Sequence, residues 1–182
     1  SISNAKDSSP GPNGIPAKAY KLLIDLAQPI FKAVLLDLMD PDGHTPPTTF
    51  NWAILHLLAK KPSSHPSGSP AYTPENTRPI SVVNTDNRIL AAALNAVLTP
   101  HANCLCQSSQ RGFLPGRNII KNIIDIDFAT QEAKIELRNG ALILVDIKAA
   151  FPSLSQDSLF DFLSHIGTPS HFITAIKKLY LN

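Results

Sequence analysis

The stretch ALILVDI, residues 141–147, is a continuous apolar run interrupted by one carboxylate near its end, Asp146. A run without the alternation of a half-exposed strand predicts a β-strand buried on both faces. Such a strand would deliver Asp146 at its C-terminal end, on an element rigid enough to hold a reacting group in place. Phe151 follows five residues later. Taken singly, an Asp between a strand and a helix also serves as an N-cap, and a Phe as core packing.

Upstream of this run the pattern is mostly helical. Residues 6–16, KDSSPGPNGIP, gather Pro, Gly, Ser and Asn and read as a loop. From Ala17, apolar residues recur at helical spacing through Leu38, and Pro29 is placed to begin a second helix after a break. PDGHTPP, residues 41–47, is a loop. FNWAILHLLAKK, residues 50–61, is of strand length, with Trp52 expected to anchor the local core. The Ser- and Pro-rich stretch 62–77 reads as a long exposed loop, and RPISVV, residues 78–83, as a strand that pairs with the first. Helical spacing returns at 86–105, 118–137, 155–165 and 169–181, with Asn139-Gly140 expected to cap the second of these.

Composition narrows the function classes. With 182 residues and 43% hydrophobic residues, the chain can bury one core. A net charge of +2 and a pI near 8.6 do not by themselves point to nucleic acid. Cys104 and Cys106 are too close for an ordinary disulfide and lack the further pair a zinc site needs, so they are expected to be free thiols in a reducing compartment. No apolar run approaches the roughly 20 residues of a membrane span. The expectation is an intracellular protein, cytoplasmic or nuclear, neither secreted nor in a membrane. The six histidines show no ligand spacing. No phosphate loop ending in Gly-Lys-Ser/Thr and no Gly-x-Ser-x-Gly elbow occurs, which removes ATPase and hydrolase readings.

Three further segments stand in order before Asp146. LLAKKP ends one strand with Lys60 and Lys61, and NTRPISVVN begins the next with Arg78. A hairpin joining Lys to Arg suits a triphosphate, Arg through paired donors and Lys as a point charge, although a solvated basic hairpin looks the same. In QRGFLPGRNIIKN, residues 110–122, Gly112 and Gly116 permit close backbone approach, and Arg111, Arg117 and Lys121 can meet phosphates. Any turn before a helix could read similarly.

Together these segments resemble the reverse transcriptases of non-LTR, LINE-like retrotransposons. SPGPNGIP (9–16) resembles their N-terminal motif, TRPISVVN (77–84) their fingers motif and QRGFLPGRNIIKNI (110–123) the next. LILVDIKAAFPSL (142–154) resembles their first catalytic palm motif. The resemblance spans nearly the whole chain and implies an α+β, right-hand polymerase fold, here partial. Residues 1–182 would form part of a reverse transcriptase domain, with 1–140 as fingers and connecting helices and 141–182 as the start of the palm. The implied activity is RNA-directed DNA synthesis by two-metal nucleotidyl transfer, with two Mg2+ ions in the complete enzyme.

The resemblance also implies roles. Asp146 would be the catalytic metal ligand, and the carbonyl of Ile147 would bind the same ion. Phe151 would be the gate against a 2′-hydroxyl. Arg78, with Lys60 or Lys61, would hold the triphosphate. Gln110 would lie near the nucleotide, and Gly112, Phe113 and Arg117 along the template. Partners would be an RNA template, a DNA primer, deoxynucleoside triphosphates and the rest of the retroelement polyprotein.

Two departures accompany the match. Relatives commonly carry Lys-Ala-Phe-Asp after the strand, where this chain has Ala149, Ala150, Phe151 and Pro152. No Asp-Asp pair occurs in the chain, and one carboxylate cannot hold two metals. The 182 residues are therefore expected to be a piece of a longer polymerase and inactive alone. An intron-maturase-type reverse transcriptase and a non-catalytic nucleic-acid-binding remnant are the alternative readings.

Overall fold

The computed structural model describes residues 2–60, 73–136, 139–147 and 150–181. Six α-helices and one two-stranded sheet are found among them, an α+β architecture. The chain divides into two compact units, Ser1–Leu94 with Phe162–Asn182, and Asn95–Asp161. These units follow backbone packing, whereas the division at 140/141 concerns function.

In the first unit, α1 (Ala17–Leu22) and α2 (Ile24–Met39) are separated by the single residue Leu23. The break expected at Pro29 is not there: Pro29 lies inside α2. An interior proline forfeits one helical hydrogen bond, and here the helix runs through it because its other side chains still pack. Ala27 and Leu38 of α2 are buried, and α6 (Ser170–Leu179) packs against the helix through a face carrying Phe172, Ile173, Ala175 and Lys178. A small core forms where Ile2, Ala27 and Ile89 meet Tyr20, Ile24 and Phe31.

A 3-10 turn at Thr48–Asn51 leads into β1 (Ala53–Ala59), which pairs antiparallel with β2 (Thr77–Val83) in the register Ala53↔Val83 through Ala59↔Thr77. The expected pairing of these strands is thus present. The loop between them was expected over 62–77; Pro74–Asn76 forms a 3-10 turn, and residues 61–72 lie outside the described ones. Both faces of β1 are exposed, and Trp52, expected to anchor a core, is 58% exposed. A two-stranded ribbon has no second layer to receive a large ring, which explains the difference.

The hairpin is fixed at its far end by polar contacts. Helix α3 (Thr85–Leu105) starts directly after β2, and Asn84, Thr85 and Asn87 at this junction are all buried. The Asn84 side chain accepts a hydrogen bond from the Asn13 amide (3.0 Å), and Thr85 donates to the Ile15 carbonyl (2.7 Å). Arg88 donates to the Ser8 hydroxyl and the Ser9 carbonyl, at 2.6 and 2.9 Å. Gly11 crosses so close that a Cβ there would stand 2.4 Å from the Asn84 nitrogen. The loop rich in Pro and Gly is thereby bound to the junction by chemistry that only small residues and buried amides permit.

In the second unit, α4 (Ile120–Ile135) starts after an Asx turn in which the Asn118 side chain accepts from the Ile120 amide. It ends at Glu136, and Gly140 does not adopt the left-handed conformation expected of a cap. The run 141–147 is neither strand nor core. It lacks ladder hydrogen bonds, and Leu144 and Val145 are 80% and 85% exposed. A strand draws its backbone partners and its cover from neighbouring strands. The one ladder among the described residues joins β1 and β2, so this apolar run stays irregular. Helix α5 (Gln156–His165) begins behind Ser155, whose hydroxyl accepts from the Ser158 amide, and Gly167, at φ +78°, follows its C-terminus.

Candidate nucleotide and template site

The hairpin register settles what β1 and β2 present. Arg78 stands opposite Leu58, and the Lys60 amide donates to the Asn76 carbonyl at 2.8 Å, continuing the ladder by one step. Side chains two apart on a strand share a face. Lys60 is therefore a diagonal neighbour of Arg78 on one face of the ribbon, the range over which long side chains reach a common ligand. Both are exposed. Lys61, the other lysine considered for this role, lies outside the described residues. Beside them the Glu75 carboxyl is held below its ordinary range by hydrogen bonds from its own amide and from the Thr73 side chain.

The loop 107–117 is organised by two arginines. The Arg117 guanidinium donates to the carbonyls of Asn103 (2.8 Å), Cys106 (3.0 Å), Gln107 and Gln110 (2.7 Å). These include carbonyls in and just past the last turn of α3, which have no partner inside the helix. The guanidinium thus closes the helix C-terminus and fastens the loop in one stroke. Arg111 pairs with Asp125 of α4 at 2.6 Å. In this arrangement neither arginine points its donors at solvent in the way a phosphate contact read from sequence would require. Lys121, on the first turn of α4, is exposed.

Between the two arginines, Gln110 donates to the Gly112 carbonyl at 3.1 Å, and Phe113 takes φ +62°, a left-handed conformation that is costly for a side chain bearing Cβ. The Phe113 ring is 98% exposed. It meets the Phe151 ring edge to face, with centroids 6.5 Å apart and planes at 78°. Two residues assigned to the site from motifs 38 positions apart in sequence are thus brought together within one unit.

Asp146 and Ile147 sit on the irregular stretch and are exposed, Ile147 at 68%. Among the described residues there is no cluster of three or more His, Cys, Asp or Glu side chains able to hold a metal ion. A single carboxylate with one neighbouring carbonyl is an incomplete donor set for hard divalent ions, which take six or more oxygens. The described residues alone therefore do not fit a two-metal centre.

Sequence reasoning missed a polar knot in the first unit: Asn51, Asn84, Thr85, Asn87, Arg88 and Lys178. The Asn87 side-chain amide donates to the Asn51 side-chain oxygen at 2.8 Å, and the Asn51 side-chain amide in turn donates to the carbonyls of Lys178 and Leu181. A signal was present in the string NTDNR, which places capping residues between an apolar strand and a helix. The first unit also holds an apolar groove of about 590 Å³ lined by Tyr20, Leu26, Phe31 and Phe50 among others, and none of its lining residues is a candidate site residue. Burial there, reinforced by the Asp86 charge, raises the Tyr20 hydroxyl above its ordinary pKa.

The class that this ordering of segments defines is a nucleotide polymerase, and comparison with known proteins bears that out. The profile of the reverse transcriptase (RNA-dependent DNA polymerase) family matches residues 59–182, more than half of the chain. The chain belongs to the reverse transcriptase family. It is 28% identical over 178 residues to the retrovirus-related Pol polyprotein from type-2 retrotransposable element R2DM of Drosophila melanogaster, covering 95% of this chain and 15% of that protein. It is 28% identical over 183 residues to the transposon TX1 uncharacterized 149 kDa protein of Xenopus laevis, covering 96% of this chain and 13% of that one. A Pol polyprotein from the type-1 retrotransposable element R2 of Nasonia vitripennis is 20% identical over 181 residues, 16% of its length. The kinship with non-LTR retrotransposon reverse transcriptases expected from the motifs is upheld, and the chain spans about a seventh of the length of these curated relatives.

Proposed function

We propose that this chain supplies the fingers (1–140) and the start of the palm (141–182) of a right-hand RNA-directed DNA polymerase encoded by a retroelement. The observation that carries this reading is the unbroken order of motifs inside the segment matched by the family profile. The partners are an RNA template, a DNA primer, deoxynucleoside triphosphates and the remaining parts of the polyprotein, and the site of action is the cytoplasm or nucleus.

The division of labour follows from chemistry. Arg78 offers paired donors to a triphosphate and Lys60, on the same face, adds a point charge. Gln110 and Phe151 border the nucleotide, Phe151 standing where a ribose 2′-hydroxyl would intrude. Gly112, Phe113 and Arg117 line the template side, Arg117 by fixing the loop that carries the other two. Magnesium bound at such a centre would activate the primer hydroxyl and neutralise the departing pyrophosphate. Asp146 and the Ile147 carbonyl would be this chain's share of its ligands.

The test is kinetic. Arg78→Ala in the full-length protein should raise KM for deoxynucleotides by roughly tenfold or more while leaving template affinity within about twofold. A fall in template affinity instead would reassign Arg78 to the nucleic acid. The 182 residues expressed alone should show no magnesium-dependent primer extension.

A further inference from the structure

The two exposed rings of the second unit carry one step more. We propose that Phe113 is a positioning residue for sugar selection: its ring props the Phe151 ring in the orientation that excludes a 2′-hydroxyl. This rests on the reading of Phe151 as the sugar gate.

Three observations support it. First, neither ring has a core to pack into, Phe113 being 98% and Phe151 84% exposed, yet they meet in the edge-to-face geometry aromatic pairs prefer. Second, Phe113 is held at φ +62°, which a Phe keeps only where its surroundings over-determine it. Third, the neighbouring side chains supply those surroundings: Arg117 grips four carbonyls on the N-terminal side of the loop and its base, Arg111 is tied to Asp125, and Gln110 closes onto Gly112. The loop is thus built to hold one apolar ring out into solvent at a fixed place. An exposed Phe on an irregular segment would otherwise move among its rotamers, and a gate that moves discriminates poorly. Contact with a ring on an anchored loop restricts that motion without touching the sugar.

The experiment measures the ratio of deoxy- to ribonucleotide incorporation by the full-length protein on a primed RNA template, for wild type, Phe113→Ala, Phe113→Tyr, Phe151→Ala and the double Ala variant. Phe113→Ala should lower the ratio about tenfold; any loss of template contact slows both sugars alike and cancels in the ratio. Phe113→Tyr, which keeps the ring, should restore most of it. The double variant should match Phe151→Ala, because a prop has nothing to act on once the gate is gone. Since Phe113 is fully exposed, its removal should leave the melting temperature in place, and a circular-dichroism melt verifies this.

Two results overturn the proposal: a wild-type ratio in Phe113→Ala, whether or not both sugars are used more slowly, or effects that multiply in the double variant. If wild type discriminates but Phe151→Ala does so equally well, the gate assignment of Phe151 fails and the prop with it. If wild type makes no DNA at all, it is the polymerase reading that fails.

Discussion

The first half of α3 and the run 141–147 are both rich in Leu, Ile and Ala, and they end in opposite environments. Ile89, Leu90 and Leu94 are among the most buried residues described, at 2–4% exposure, whereas Ile143, Leu144 and Val145 are at 80–85%. The helix satisfies its own backbone and needs only one covered face, which the neighbouring helices of its unit supply. A strand has to be completed from outside, in backbone and in cover alike. Apolar composition therefore marks a segment that must be buried somewhere, and the partners present decide whether it is.

Paired truncations put this contrast to its strongest test. Leu90→Ala should cost about 3–4 kcal/mol in urea unfolding of the purified chain, the price of a core cavity. Leu144→Ala should cost under about 0.5 kcal/mol, as for other exposed positions. Comparable losses would mean that 141–147 is covered in solution and that the comparison drawn here does not hold.

The next largest effect belongs to a charge rather than a hydrocarbon. Lys178 is 8% exposed, and its ammonium donates to the carbonyls of Asp37 (3.2 Å), Asp40 (2.8 Å) and Gly43 (3.2 Å), closing the C-terminus of α2. Lys178→Met keeps the stem and leaves three carbonyls without their donor. The expected loss is about 2–3 kcal/mol in the same unfolding experiment. No change would show that water replaces the ammonium at no cost.

These two residues also show what could be read in advance. Leu90 belongs to a 3.6-residue periodicity, which makes the helical segments legible apart from the boundary between α1 and α2, while the two paired strands are legible as short apolar runs. Lys178 carries no such signal, because its three acceptors lie 135 to 141 positions away and are backbone oxygens that no side-chain pattern encodes. Distance in sequence likewise hides Asn84 and Thr85, whose backbone partners are 71 and 70 positions away. At the candidate site, motif order gave the residues. It did not give the ribbon face shared by Lys60 and Arg78, the capping duty of Arg117, or the meeting of Phe113 with Phe151. The strand at 141–147 was misread because a buried-strand pattern reports what a segment requires and is silent about whether the neighbours are there.

Arg117 is the second unit's counterpart of Lys178, at lower burial. Arg117→Ala should cost about 1–2 kcal/mol, localised to the loop. Hydrogen exchange should show the amides of residues 107–117 opening faster, with those in the middle of α4 little changed. Uniform acceleration over both would make the guanidinium a support of the whole unit.

The smallest effect is a pH dependence confined to the first unit. The Asp37 carboxyl lies below its ordinary value of 3.8, because it accepts hydrogen bonds from the His44 ring at 3.0 Å and the His44 amide at 3.2 Å; burial opposes them, and the charges of His44 and Lys178 add lesser lowering contributions. A carboxyl whose pKa is depressed by folding contributes stability that is fully present above its unfolded value and is lost as pH falls through the folded one. The contribution of Asp37 should therefore be intact at neutral pH and disappear below about pH 4, where both states become protonated. Asp37→Asn should flatten the acid limb of the stability profile there, as read from urea midpoints taken between neutral pH and about pH 2. Because the group is solvent-accessible, added salt should shrink the difference between the variant and wild type. A difference that persisted undiminished below about pH 4, or that appeared only near neutral pH, would show that the Asp37 carboxylate is not its source.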